Sequence, residues 1–482
     1  MILNGLASFK NKKVLLLQGP VGPFFRRLAK DLTAAGAQVY KINFNGGDWF
    51  FYADHSTSFR GKPEVWPAFL EKFLLEKQID TVLLFGDCRP MHSKAREVAK
   101  NLGLEVGVFE EGYVRPDYIT LETSGVNAHS TLPKEPLVYL QSPETSVPRA
   151  ELIGCPFRIT ALWAMLYYAA SHALHFAFRH YKHHRPLNIW EGLYWLRGFW
   201  RRRSYKFKQR HIEATLSGTL SGGYFLVPLQ VSTDAQIIVH SDYTSQDCFI
   251  SEVLKSFAAH AERASTIVFK HHPLDRGYHD HTRLLNKLAA DLNLQGRVLY
   301  IHDQSLPLLL EHARGVVLIN STVGFSAIHH GCPVKACGVA FYDMPGLTFQ
   351  GSLDDFWTQG PAHPPNPVLY RKFRAHVIQR TQLNGNFYKR LESQGMQAGL
   401  VWVPAFTREG AATEPALAPP PALAFTPKNN FSTRRKLRSI LPPLTNHFPI
   451  RTSRLPANAS QKKRFVRENK HQERLQIFPR NR

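Results

Sequence analysis

Apolar residues in the first hundred or so positions follow two alternating rhythms. Short continuous runs, KVLLLQ (13–18), QVYKINF (38–44), TVLLFG (81–86) and EVGVFE (105–110), have the length and composition of buried strands. Between them, GPFFRRLAKDLTAAG (22–36), FLEKFLLEKQ (69–78) and SKAREVAKNLG (93–103) repeat apolar positions at helical spacing. Strands separated by helices of this length predict right-handed βαβ units and a mostly parallel sheet. The rhythm stops near residue 150 and returns after 220 with GYFLVPL, TIVFK, RVLYIH and GVVLIN as strands, and a helix over 323–330. Two such blocks predict an α/β chain with two Rossmann-like domains facing each other. Ligands of these sheets bind beyond the carboxyl ends of the strands. That places QGPVG, FGDCRP, FEEGYVRP, PLQVSTD, KHHP and INSTVG at the candidate site.

The intervening segment has a different pattern. Residues 159–178, ITALWAMLYYAASHALHFAF, carry no Asp, Glu, Lys or Arg, and are followed by RHYKHHR and NIWEGLYWLRGFWRRRSYKFKQR. The first run reaches the length of a membrane span, about 20 residues, but Thr, Ser, His and Ala weaken it. Aromatics interleaved with Arg and Lys fit a hairpin lying in a membrane interface; an insertion packed on the protein's own domains is the alternative. The expected boundaries are 1–150 for the first domain, 151–215 for the insertion and 216–404 for the second domain. A basic, Pro/Ala-rich tail, expected to have little order, fills 405–482.

Composition narrows the picture. The 482 residues carry a formal net charge of +23, which calls for a polyanionic neighbour: nucleic acid, an anionic membrane or phosphorylated substrates. Basic residues cluster in the insertion and tail rather than in a nucleic-acid module, so nucleic acid is not expected. Five scattered cysteines form no CxxC pair, and the N-terminus lacks the layout of a secretory signal; a reduced, cytoplasmic protein is expected.

Three sets of residues carry candidate chemistry. His271, His272, His279 and His281 match no zinc spacing, and no D-x-D motif is present, so no metal is expected. Lys270, His271, His272 and Arg276 at a strand's carboxyl end instead suit a phosphate. Asn320, Ser321 and Thr322 run into a helix, where they cap it or add N–H groups and hydroxyls to an anion site. Glu110 and Glu111 follow a first-domain strand and Asp234 a second-domain strand. Carboxylates facing each other across a cleft are what glycosyl transfer needs: one for the anomeric centre, one for the hydroxyl proton. Taken alone, either acid is more readily a surface or capping residue than a catalytic one. The glycines of QGPVG (Gly19, Gly22) and NFNGGDW suit a ligand's close approach to backbone.

LLLQGPVGPFF, KINFNGGDWFFY, FGDCRP, FEEGYVRPDYITLE, VPLQVSTDAQI, KHHPLDRGY, INSTVGFSA and HGCPVKACG, in this order over about 13–357, resemble the bacterial capsule polysaccharide synthesis family, in particular its KpsS/LipB-type members. The resemblance implies a GT-B-like, retaining β-Kdo transferase. It would use CMP-Kdo as donor, with no cofactor, and a (lyso)phosphatidylglycerol-type acceptor, at the cytoplasmic face of the bacterial inner membrane and alongside other capsule synthesis and export proteins. It also implies His272-Pro273, Lys270, Asn320, Ser321 and Thr322 at the nucleotide and Asp234 as catalytic carboxylate. Glu110 or Glu111, with Glu111 preferred, would assist the acceptor. Gly19, Gly22, Asp87 and Arg115 are expected to line the acceptor cleft. A sugar-nucleotide epimerase and a non-catalytic membrane adaptor of the export complex are the competing readings.

Overall fold

In the computed structural model, residues 2–402 are described, apart from 148, 155, 183–190, 233 and 392–394. The tail expected over 405–482 lies outside the described residues, as do Cys155 and part of RHYKHHR.

Every apolar run read above as a strand is one. The first sheet holds β1 (Lys13–Leu16), β2 (Gln38–Asn43), β3 (Ser56–Ser58), β4 (Thr81–Phe85), β5 (Glu105–Glu111) and β6 (Tyr118–Thr123). The order β3-β2-β1-β4-β5 is parallel throughout, and β6 adds antiparallel to β5. The second sheet holds β7 (Tyr224–Pro228), β8 (Thr266–Lys270), β9 (Val298–Ile301), β10 (Gly315–Leu318) and β11 (Val334–Ala336). Its order, β9-β8-β7-β10-β11, repeats the first and is all parallel. In both sheets the strand order reverses at the first strand, which opens a crevice at the carboxyl ends of β1/β4 and of β7/β10. Strands buried on both faces need continuous apolar runs, and β7 and β8 are buried along their whole length.

The expected second domain ran through residue 404, but the chain leaves it earlier. After the Pro367–Thr381 helix, β12 (Gln382–Asn384) pairs antiparallel with β6 and completes the first sheet as its seventh strand. Phe387, Leu400 and Trp402 then join a first-domain core built around Phe24, Phe25 and Phe109.

The insertion divides between the two domains. Its Phe157–Ala173 helix lies on the short Gly46–Phe51 helix, closely enough that a Cβ on Gly46 would stand 2.4 Å from the Ala170 carbonyl and one on Gly47 2.6 Å from the Tyr167 ring. The glycines of NFNGGDW therefore admit the chain's own helix, not a ligand. The Glu191–Lys208 helix packs on the second domain: Tyr194 stacks on Tyr278, Tyr205 on His302, and Arg201 reaches Asp280 at 3.2 Å. Among the described residues no helix is long and apolar enough to cross a membrane.

Candidate active site

A cleft of about 470 Å³ opens where the carboxyl ends of the two sheets meet, lined by Gln18, Phe44, Phe85, Gly86, Cys88, Arg89, Glu110, Tyr181, Asp234 and Gln236 among others. β1, β2, β4 and β5 and the loops after them deliver the first-domain residues, the insertion delivers Tyr181, and the loop after β7 delivers Asp234.

Glu110 is the member of the acidic pair that faces this space. Alternation along β5 puts it on the face of Val106 and Val108, while Glu111 shares the face of Phe109 and turns to the Tyr388 hydroxyl at 3.3 Å. Burial pushes the Glu110 carboxyl up to about 7; the Glu111 and Asp234 charges add to this, while the Glu111 N–H, at 3.0 Å, and Arg89 oppose it. Gly86, with φ of +71°, leaves the space between Arg89 and Glu110 open: an added Cβ would sit 3.6 Å from both side chains. Arg89 is aimed by Gln18, whose Oε1 accepts from Arg89 Nη1 and from the Tyr181 hydroxyl, both at 2.9 Å. The Gln18 amide in turn donates to Tyr167, 2.9 Å away, and to Asp48, so a side chain of the insertion holds the cleft floor.

Asp234 has a capping role and more. Its Oδ1 accepts from the Gln236 N–H at 3.0 Å, starting the Ala235–Val239 helix, and its Oδ2 accepts from the Gln230 amide at 3.2 Å. Burial raises its pKa against those two hydrogen bonds. Gln230 also donates to Asn320 Oδ1 at 3.1 Å across the β7/β10 crevice. Ser232 donates its hydroxyl and N–H to Asp275, which ties in the loop after β8. Three second-domain loops thus form one hydrogen-bonded rim.

The cationic clamp is arranged differently from the expectation. Lys270 is 8% exposed, and its ammonium donates to the His302 carbonyl at 3.0 Å; its pKa is lowered by burial. Arg276 pairs with Asp303, and His271 is buried against the Tyr300 hydroxyl at 2.6 Å. These groups build the rim from inside because β8 and the first residues after it are covered on both faces. His272 is partly exposed, and its Nδ1 accepts from the Leu274 N–H as Pro273 opens a short helical turn. Ser321 Oγ accepts from the Val323 N–H at the start of the Val323–His329 helix, with Thr322 beside it; both are partly exposed. His281 is held between Asp247 and Gln246, with the exposed His279 ring nearly parallel to it at 6.5 Å, so His271 and His281 of the histidine-rich stretch are internal packing.

Of the expected cleft residues, Gly19 and Gly22 owe their lack of a side chain to Phe25 and Trp163, which stand 2.8 Å and 3.0 Å from where a Cβ would be. Arg115 is exposed in the turn before β6, donating to the Gly112 carbonyl, and does not line the cleft. Asp87 is fully buried just behind it, bound to Arg96, His129 and the Val126 N–H. Gln18, Cys88, Arg89 and Tyr181 were not singled out from sequence, although FGDCRP had marked the loop of Cys88 and Arg89 and QGPVG that of Gln18.

Two parallel sheets with matched strand order, meeting at a cleft that holds a carboxylate from each, define a GT-B-like architecture. The chain belongs to the capsule polysaccharide biosynthesis protein family, whose model matches residues 80–388. It is 40% identical over 380 residues to the capsule polysaccharide export protein KpsS of Escherichia coli, covering 78% of this chain and 97% of that one. It is 39% identical over 397 residues to the capsule polysaccharide modification protein LipB of Neisseria meningitidis serogroup B, covering 80% and 94%. Among solved structures, the beta Kdo 2,7 transferase of Thermosulfurimonas dismutans KpsC aligns over 81% of this chain and 95% of its own, at 17% identity and a TM-score of 0.39.

Proposed function

We propose that this protein is a retaining glycosyltransferase that moves β-Kdo from CMP-Kdo to a (lyso)phosphatidylglycerol acceptor, starting the poly-Kdo linker of a capsule. The observation that carries this reading is the pairing of Glu110 and Asp234, one from each domain, on a single cleft in which the Asp234 charge helps to raise the Glu110 carboxyl. Asp234, oriented by Gln230 and the Gln236 N–H, attacks the anomeric carbon or shields its developing positive charge as the bond to the CMP phosphate breaks. Glu110, with a pKa near neutrality, takes the proton of the acceptor hydroxyl as the new glycosidic bond forms. Asn320, Ser321, Thr322 and His272-Pro273, on the rim laced to Asp234, hold the departing CMP; Lys270 supports that rim from within.

Attachment to an anionic membrane at the cytoplasmic face suits the Glu191–Lys208 helix. Its outer face shows Leu196, Phe199 and Trp200, the last 78% exposed, between Arg197, Arg202 and Arg203. Other capsule synthesis and export proteins are the expected neighbours there.

The test is to incubate the purified protein with CMP-Kdo and a fluorescent lyso-phosphatidylglycerol and to follow the acceptor's mass. One Kdo added by the wild type, with a loss of roughly a thousandfold or more in Asp234→Asn at retained CMP binding, is the expected result. Full transfer by Asp234→Asn would remove the assignment, and failure to bind CMP would remove the transferase reading itself.

A further inference from the structure

At the wall of the cleft, four side chains with metal-binding chemistry meet where the two domains touch. Asp87 and Cys88 come from the loop after β4, and His129 from the Asn127–His129 turn after β6. His240 arrives from the other domain, at the end of the Ala235–Val239 helix. Each offers one donor atom, and the four donors lie within 4.8 Å of one another. Cys88 Sγ is 3.1 Å from His240 Nε2 and 3.3 Å from Asp87 Oδ1, and Asp87 Oδ2 is 2.9 Å from His129 Nδ1. The two imidazoles stand edge to face, with centroids 4.5 Å apart.

We propose that these four residues form a tetrahedral site for a zinc-class divalent ion that fastens the two domains together. The donor set selects the ion. One thiolate and two imidazoles suit Zn²⁺ or Co²⁺, whereas Mg²⁺ and Ca²⁺ take oxygen ligands. Bonds of about 2.0–2.3 Å put tetrahedral donors roughly 3.3–3.6 Å apart. The Cys88–Asp87 pair is already at that spacing, the Cys88–His240 pair opens by a few tenths of an ångström, and the widest separation closes by about an ångström of side-chain rotation. An outer layer is also in place. The Val126 N–H and Arg96 Nη1, each 3.2 Å from Asp87 Oδ2, fix that oxygen and leave Oδ1 turned to the thiol. Arg96 is itself held on the Ser124 carbonyl at 2.8 Å, and its Nη1 is 3.1 Å from His129 Nδ1, a contact that gives way when that nitrogen binds the ion. Binding releases the Cys88 proton to solvent, and the thiolate and the Asp87 carboxylate then balance the ion's two charges.

Four protein donors complete the tetrahedron and leave no open position, the mark of a structural rather than a catalytic site. The transfer chemistry proposed above therefore does not run through this ion, and the two proposals stand or fall separately.

The test uses the full chain, freed of any affinity tag and purified without chelator. Elemental analysis is expected to find close to one equivalent of zinc. After removal of the metal, Co²⁺ titration is expected to give the d–d bands of tetrahedral cobalt together with a thiolate-to-cobalt charge-transfer band. Cys88→Ser should lose the charge-transfer band, and His240→Ala should weaken cobalt binding at least tenfold. Cys248→Ser, which alters an exposed cysteine outside the cluster, should change neither. Circular dichroism melts of each variant separate a lost ligand from a lost fold, and the wild-type spectrum stands without any variant. No metal above background together with no thiolate–cobalt band, or a band that survives Cys88→Ser, overturns the proposal and leaves the cluster a hydrogen-bonded contact between the domains.

Discussion

Glu110 and Glu111 are neighbours with opposite surroundings, and pH separates them. A carboxyl whose folded pKa rises from 4.5 to about 7 stays protonated in the folded chain while the unfolded chain has already ionised. Its contribution to stability therefore falls as pH rises from about 4.5 to 7 and is level above that window. Glu110→Gln removes this penalty: its thermal midpoint should exceed that of the wild type at pH 8 and match it near pH 4.5. If Glu110 is the base, its deprotonated form is the active one. The transfer rate of the wild type should then rise through pH 7, and that rise should vanish in Glu110→Gln and persist in Glu111→Gln. A pH–rate profile of the three proteins reads this directly. The same pair shows what a sequence withholds. Alternation along β5 tells that Glu110 shares a face with Val108 and Glu111 with Phe109, but which face borders the cleft depends on partners distant in the chain. Lys270 repeats the lesson: three apolar neighbours, Ile267, Val268 and Phe269, marked its strand, yet nothing local said that its ammonium would end on the His302 carbonyl.

Among the elements, eight of the parallel strands were legible because each is a continuous apolar run, whereas the short β3 (Ser-Thr-Ser) and β11 (Val-Lys-Ala) carry no such run and were not read as strands. β12 was not, because Gln382-Leu383-Asn384 is defined by the edge of β6 it pairs with rather than by any pattern of its own. Glycine in NFNGGDW was a correct sign of close approach, with the approaching body misjudged: it is the Phe157–Ala173 helix. Gly47→Val forces a side chain into the Tyr167 ring and should cost about 1–3 kcal/mol, as overpacking does, read as a lower urea midpoint at unchanged slope. The Glu191–Lys208 helix carries a different expectation. Replacing Phe199 and Trp200 by Ser should leave the melting temperature nearly unchanged, since both are exposed, and should cut sedimentation with phosphatidylglycerol vesicles severalfold. Equal sedimentation would assign that face elsewhere.

Across the whole molecule, several histidines are buried as neutral rings. Burial first, then neighbouring positive charge, pushes His92, His271 and His302 down to about 3. A base with a depressed folded pKa stabilises the fold fully above its unfolded value of 6.5, and this is lost as pH falls toward 3. Unfolding between pH 4 and 6 should therefore take up protons at these sites, each steepening the loss by as much as about 1.4 kcal/mol per pH unit. Denaturant titrations at pH 5 and 7.5 should show a lower midpoint at pH 5, with a smaller difference in His271→Gln. An equal difference in both proteins would show that His271 is not among the groups responsible.

The return of the chain to its first sheet has a consequence for the order in which the protein is made. A ribosome delivers β1 to β6 early, but the seventh strand and the Phe387, Leu400 and Trp402 side chains that close that domain's core emerge after the whole second domain. Domains usually fold as they emerge, amino end first. Here the second domain, whose core is complete once Phe356 and Trp357 have followed β11, can close while its predecessor still waits with the edge of β6 unpaired. The half begun first is the half completed last, and during synthesis that open edge is where the nascent chain is most exposed to wrong pairing.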